Sequence, residues 1–376
     1  MTRSHSIRYA APLAPPSRGV LPGATTGAPT RLPGDLPASA VPWGRVGPGW
    51  LVGIWSTTVD PTVVAPATLY LVDPVGTRYA IAAASTAYRL LDVTADGRRA
   101  LGRDETTTVE WDLTTGAVRE LTGLPADTEV RYTRPAGAAL LVASGPHLEV
   151  LEQRSLDGAL QLRLAGHPAS ETSWSPPLPL ADGSGHLVET ADDIALLDAR
   201  RPRIAGTFHP PIGFHHCAPI SLWPNGFLAR CETTTGTTDL FSYRLEAPDP
   251  TRVTRGAEAG GGFTRAWRWS GGILAEPFGA CGAGPIGRLA ADARSTAPLA
   301  LGLPQSPESG YPGPLAVVDD RLVVTTLDCS GPAGSHRLAV WSLDLTAPAP
   351  ATPRPLLGGP LTEGTVTAVL VLDPTR

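Results

Sequence analysis

The sequence predicts an all-β chain built from a four-stranded unit repeated around a ring. Three observations predict it. Gly (41) and Pro (40) recur along all 376 residues, cutting the chain into short runs. Many of those runs alternate apolar and polar residues as half-buried strands do, while no long segment carries an apolar stripe at helical spacing. Hairpin-like turns return every 40 to 50 residues or so, the period of propeller blades.

Taken in order, residues 1–41 are rich in Pro and small residues and are expected to be a disordered tail, because they cannot bury enough surface to offset ordering entropy. Residues 42–376 are expected to form a single propeller domain. WLVGIWST, ATLYLVD and TRYAIAAA supply strands B, C and D of a first blade whose strand A is missing at that end. Further units start near Tyr88, Glu129, Thr172, Ala218, Phe263 and Pro314. Their A–B turns fall at Asp96-Gly97, Ala136-Gly137, Asp182-Gly183, Asn225-Gly226, Gly271-Gly272 and Asp319-Asp320. Asp-Gly reads as a two-residue hairpin turn, since Gly adopts positive φ without steric cost. The final TVTAVLVLDP, residues 365–374, resembles the strand-A run YRLLDVT and is expected to complete blade one. A ring of seven blades follows, closed by strands from both ends, with six or eight as the alternatives.

Composition excludes several chemistries. The net charge is −5, which argues against a nucleic-acid partner. All thirty basic residues are Arg, so a Walker-A loop, a Schiff-base lysine and a Ser-x-x-Lys nucleophile are absent. No run reaches the length of a membrane span, and none in residues 1–40 has signal-peptide length. Gly-x-Ser-x-Gly and His-Glu-x-x-His are also missing, so no catalytic residue, cofactor or resident metal is assigned. A monomer is expected.

The turns DVTADGRRAL and RYTRPAGAAL, followed by WDLTTG and QRSLDG, resemble those of TolB-type propellers. Thr94-Ala95-Asp96-Gly97 keeps the Asp and Gly of the family's Ser-Pro-Asp-Gly-like turn and replaces the Ser-Pro. VPWGRVGPGW and FGACG are similar to parts of exported TolB-like chains. The resemblance spans residues 42–374. WD40 repeats match less, through Trp111-Asp112 alone. The TolB resemblance implies a fold and a non-catalytic role in binding proteins or envelope components.

Cys217 and Cys231 flank the turn at Asn225-Gly226 almost symmetrically and are expected to form a disulfide. Cys281 and Cys329 occupy the B–C loops of adjacent blades, where a second bridge would join the two; buried thiols or a reactive or metal-binding role are the alternatives. Disulfides imply an oxidising compartment. An extracytoplasmic location is therefore expected, with the cytoplasm as the alternative.

The densest polar constellation is FHPPIGFHHC, with His209, His215 and His216 in a D–A loop and Asp192 or Glu171 as carboxylates from neighbouring blades. Trp174, Arg265 and Trp267 offer an aromatic and arginine rim; packing of the tryptophans between blades is the plainer reading. The expected function is a binding module for a protein or small ligand on the face carrying the D–A and B–C loops. The alternative is a metal-assisted hydrolase, lyase or lactonase using residues 208–217.

Overall fold

The computed structural model describes residues 31–373, except 59–62, 125–127, 136, 145–149, 167–176, 191–192, 202, 224, 255–262, 278–285, 291–295, 304–312, 329–335, 348–351 and 359–363. Seven blades of four antiparallel strands close into a ring. Blade 1 runs outward from Thr365–Val371 through Leu51–Ser56 and Pro66–Val72 to Arg78–Ser85. Blade 2 is Arg89–Val93, Arg99–Arg103, Thr108–Asp112 and Ala117–Glu120; blade 3 is Glu129–Tyr132, Ala139–Ser144, Val150–Ser155 and Leu160–Gly166. Blade 4 is Leu178–Pro179, Gly185–Glu189, Ile194–Asp198 and Ile204–Phe208. Blade 5 is Phe214–Trp223, Gly226–Thr233, Thr238–Arg244 and Ala247–Arg252. Blade 6 is Phe263–Trp269, Gly272–Pro277, Gly287–Leu289 and Thr296–Pro298, and blade 7 is Gly313–Val318, Arg321–Asp328, His336–Asp344 and Arg354–Gly358. Strands A of neighbouring blades touch from blade 4 through blades 5, 6, 7, 1 and 2 to blade 3, which places them innermost.

The A–B turns differ between blades. In blade 2 the Thr94 N–H donates to the Arg99 carbonyl (2.9 Å) and the Gly97 N–H to the Thr94 carbonyl (2.8 Å). The loop therefore covers residues 95–98 rather than the two residues expected, and Gly97 takes φ +65°. Side chains favour the longer form: Thr94 Oγ1 accepts from the Arg99 N–H (3.0 Å) and Asp96 Oδ1 from the Arg98 N–H (3.1 Å). Blade 4 repeats it between Leu180 and Gly185. A two-residue turn does form in blade 7, where Val318 pairs with Arg321 and both Asp319 and Asp320 have positive φ (46° and 58°). Clearance matters as well as φ. A Cβ on Gly97 would meet Leu372 of blade 1 at 2.7 Å, and one on Gly183 would strike the Arg134 carbonyl of blade 3. Each turn overlaps the turn of the preceding blade, and a side chain there would pry them apart.

Period-two alternation explains why the strands are apolar on both sides. Leu140 and Val142 pack towards blade 2 with Leu101, Val130 and Tyr132, while Leu141 and Ala143 pack towards blade 4 with Ala195 and Leu197. Similar clusters fill the other five junctions. Between blades 1 and 2, the buried Trp111 meets Tyr88 edge to face with centroids 5.4 Å apart, a geometry worth about 0.5–1.5 kcal/mol beyond area burial. Between blades 4 and 5, Phe208 sits edge-on to Phe227 and Tyr243, which stack on each other.

Ring closure occurs in blade 1. Thr365–Val371 pairs antiparallel with Leu51–Ser56, from Leu51 opposite Val371 to Ser56 opposite Thr365. Outside blade 1, Leu36–Pro37 adds a short parallel strand to Arg78–Ser85. Asp35 accepts hydrogen bonds from the buried Tyr70 hydroxyl (2.7 Å) and Arg78 Nε (2.9 Å), and Tyr70 Oη accepts the Leu32 N–H (3.0 Å). These contacts come from residues within 1–41, and the Leu32 side chain is buried. Residues 1–30 lie outside the described residues.

Cys217 and Cys231 face each other across strands A and B of blade 5 and form a disulfide. It closes a 14-residue separation, worth on the order of 3 kcal/mol in the chain-entropy account. Both sulfurs lie against the Tyr243 hydroxyl (3.7 and 3.9 Å). Cys281 and Cys329 fall outside the described residues. Thiol titration of the denatured, unreduced protein is expected to find at most two reactive thiols; four would contradict the Cys217–Cys231 bond.

Candidate functional site

The centre of the ring holds a cavity of about 360 Å³. Its walls come from residues 91–95 of blade 2, residues 370–373 of blade 1, and one to three positions each from strands A and B or the A–B turn of blades 3 to 6. The arrangement follows from the repeat: strand A is innermost in every blade, so side chains from distant parts of the sequence converge there. The volume lies in the range of small-molecule sites.

Charge in the wall is unbalanced. Arg131, Arg134, Arg230 and Arg265 line the cavity, against Asp92 and Asp373. Two of these arginines are engaged. Arg134 binds Asp92 through both terminal nitrogens (2.9 and 3.1 Å), and Asp92 Oδ2 also accepts the Tyr132 N–H (2.7 Å). The side chains of this pair are 5% and 7% exposed, so the two-toothed geometry offsets their desolvation. Arg265 Nε meets the fully buried Glu276 (2.9 Å), and its Nη1 donates to the Pro314 carbonyl (2.9 Å). Arg131 and Arg230 are different: among the described residues neither side chain has an ion-pair or hydrogen-bond partner, and Arg131 Nε is buried.

The expected site residues separate. Arg265 lines the cavity. Trp267 is buried between blades 6 and 7 with Leu274, Leu322 and Trp341, the inter-blade packing that was the plainer reading. Apolar side chains on alternate positions of strand A face a neighbouring blade, and Trp267 falls on that parity. His216 is buried and its Nε2 hydrogen-bonds Glu189 Oε1, which raises its pKa above the usual value despite burial. His209 is exposed, with Nδ1 2.7 Å from Asp193 Oδ1. His215 is exposed on strand A of blade 5. The three histidines therefore do not share a ligand, and among the described residues no group of three or more His, Cys, Asp and Glu is placed to hold a metal. Trp174, Glu171 and Asp192 lie outside the described residues.

No family model matches the chain, and no curated protein matches it in sequence. Solved structures do match in shape. One is a prolyl endopeptidase, from a study of two such enzymes and the role of inter-domain dynamics in their catalysis and specificity; it has 10% identity and TM-score 0.56 over 84% of this chain and 50% of that one. Another is a puromycin-hydrolyzing peptidase of Mycobacterium tuberculosis, at 14% identity and TM-score 0.51 over 89% of this chain and 57% of that one. The likeness is one of fold. The chain spans about half the length of either peptidase.

Sequence reading missed Asp92, Arg131, Arg134 and Arg230. A signal was present: each is a charged residue in or beside an apolar A or B run, as in RLLDV and EVRYTR. A charge at an innermost strand must face either the channel or a buried partner.

A further titratable group, on strand B of blade 4, feels the charge of Arg134. His186 is 1% exposed, and neither ring nitrogen has a hydrogen-bond partner among the described residues. Burial, helped by the positive charge of Arg134, pulls its pKa from 6.5 down to about 4. The unfolded chain therefore takes up a proton between pH 6.5 and 4 that the folded chain refuses, and stability falls as pH falls through that window. The loss from this residue is on the order of 2 kcal/mol at pH 5. His216 has the opposite sign, since its raised pKa adds stability that is lost as pH rises through the folded value. Urea unfolding at pH 7 and pH 5 is expected to show the acid loss in the native chain and its removal in His186→Leu. An equal loss in that variant would show that His186 is not its source.

Proposed function

We propose that this protein is a non-catalytic binding propeller that works outside the cytoplasm and takes its ligand in the central channel. The cavity where six blades converge is the observation that carries this reading, because only a closed ring builds it and its volume suits a small molecule. The Cys217–Cys231 disulfide supports the oxidising location. The TolB-like turns of the sequence support a binding role by analogy of fold.

The test is a thermal-shift screen of small molecules against the native chain and Ala95→Trp. Ala95 is exposed on its turn and lines the cavity, so an indole there fills space without entering the core. Hits are expected to stabilise the native chain and lose their effect on Ala95→Trp. Hits that stabilise both equally would place binding elsewhere.

A second reading, an enzyme on residues 208–217, draws on the exposed His209. Asp193 holds its Nδ1 and leaves Nε2 to another group, the arrangement of an oriented base or metal ligand. Stoichiometric metal in the purified protein, lost in His215→Ala or His209→Ala, would favour it over the binding module.

A further inference from the structure

We infer that the channel ligand is a small anion with at least two carboxylate or phosphate groups, clamped by Arg131 and Arg230. This rests on the channel reading above and adds the chemical class. Four arginines line the cavity; of the carboxylates beside them Asp92 is taken by Arg134 and the Tyr132 N–H, and Arg131 and Arg230 have no partner among the described residues. Arg265 adds a third positive charge at the wall, already held by Glu276 and therefore fixed in place. A guanidinium whose Nε is buried without an acceptor carries a desolvation cost that a hydrogen-bonding anion removes. The planar fork of Arg matches a carboxylate or phosphate oxygen pair, which a neutral ligand does not supply. One such pair per arginine calls for two anionic groups on the ligand, and about 360 Å³ admits a molecule of that size. The overall charge of −5 makes this basic interior a local feature against an acidic background, so recognition depends on entry into the channel and not on general attraction.

Isothermal titration of the full chain with pyrophosphate and with citrate, and with glucose as an uncharged control, tests the assignment. At least one of the two anions is expected to bind and glucose not to. Affinity is expected to fall roughly tenfold or more in Arg131→Gln and in Arg230→Gln, and to weaken with added salt. Arg131→Lys and Arg230→Lys keep the charge and lose the fork, so they serve where a Gln variant fails to fold; each is expected to weaken binding without abolishing it. Anion binding that survives in Arg131→Gln/Arg230→Gln, or no anion binding by the folded native chain, would overturn the assignment. So would binding of an acidic peptide with neither small anion bound. Uncharged hits that still depend on Ala95 would overturn this anion assignment alone and leave the channel reading standing, whereas anion binding unaffected by Ala95→Trp would sink the channel reading too.

Discussion

Deleting residues 365–376 is expected to leave a chain that no longer unfolds cooperatively and that accumulates as aggregate. The deleted strand supplies the innermost member of blade 1, and Val366, Ala368, Val371 and Leu372 are buried against blades 1, 2 and 7. Burying each large aliphatic side chain contributes about 1.5–3 kcal/mol, so the group together approaches the 5–15 kcal/mol or so of a typical domain. The deletion also strips strand B of blade 1 of its partner and exposes an apolar edge. Soluble yield and a urea melt followed by tryptophan fluorescence measure the effect. A truncated chain with a native-like, single transition would show that the ring does not need this strand.

The second large effect is expected at Asp92. Its carboxylate holds Arg134 by two hydrogen bonds and caps the Tyr132 N–H, joining blades 2 and 3 beside the cavity. Asp92→Ala leaves a guanidinium that is 5% exposed without its carboxylate, at a cost of about 3–5 kcal/mol. Removing both partners with Asp92→Leu/Arg134→Met is expected to restore much of the loss, because the replaced pair no longer leaves a buried charge. Denaturant unfolding of the two single variants and the double gives the coupling energy. A coupling below about 0.5 kcal/mol would mean that the pair behaves as exposed ions do.

The same pair shows the limit of sequence reading. Alternation in strands and the recurring turns were enough to expect seven blades, and residues 365–371 close the first blade as expected. Blade starts at Glu129 and Phe263 coincide with the strands, and those at Tyr88 and Pro314 differ by one residue. The form of the A–B turn in blade 2 was not legible, because Thr94 and Asp96 stabilise a four-residue loop through side-chain hydrogen bonds that a dipeptide rule ignores. The grouping of charges in the channel was not legible either. A run of histidines in one loop drew notice, yet His209 and His216 turn to separate carboxylates. The arginines that meet in the channel are 30 or more residues apart in sequence, except Arg131 and Arg134, and nothing local marks them as neighbours.

The sequence by itself determined the repeat, the all-β character, the closure of the ring and the Cys217–Cys231 pair, since each depends on period-two alternation or on residues that a single hairpin brings together. Only the tertiary structure decided which charges share the channel and which are matched. Convergence at the centre arises from stacking blades around an axis, so the field at the cavity is a sum over blades, and no one blade contains it.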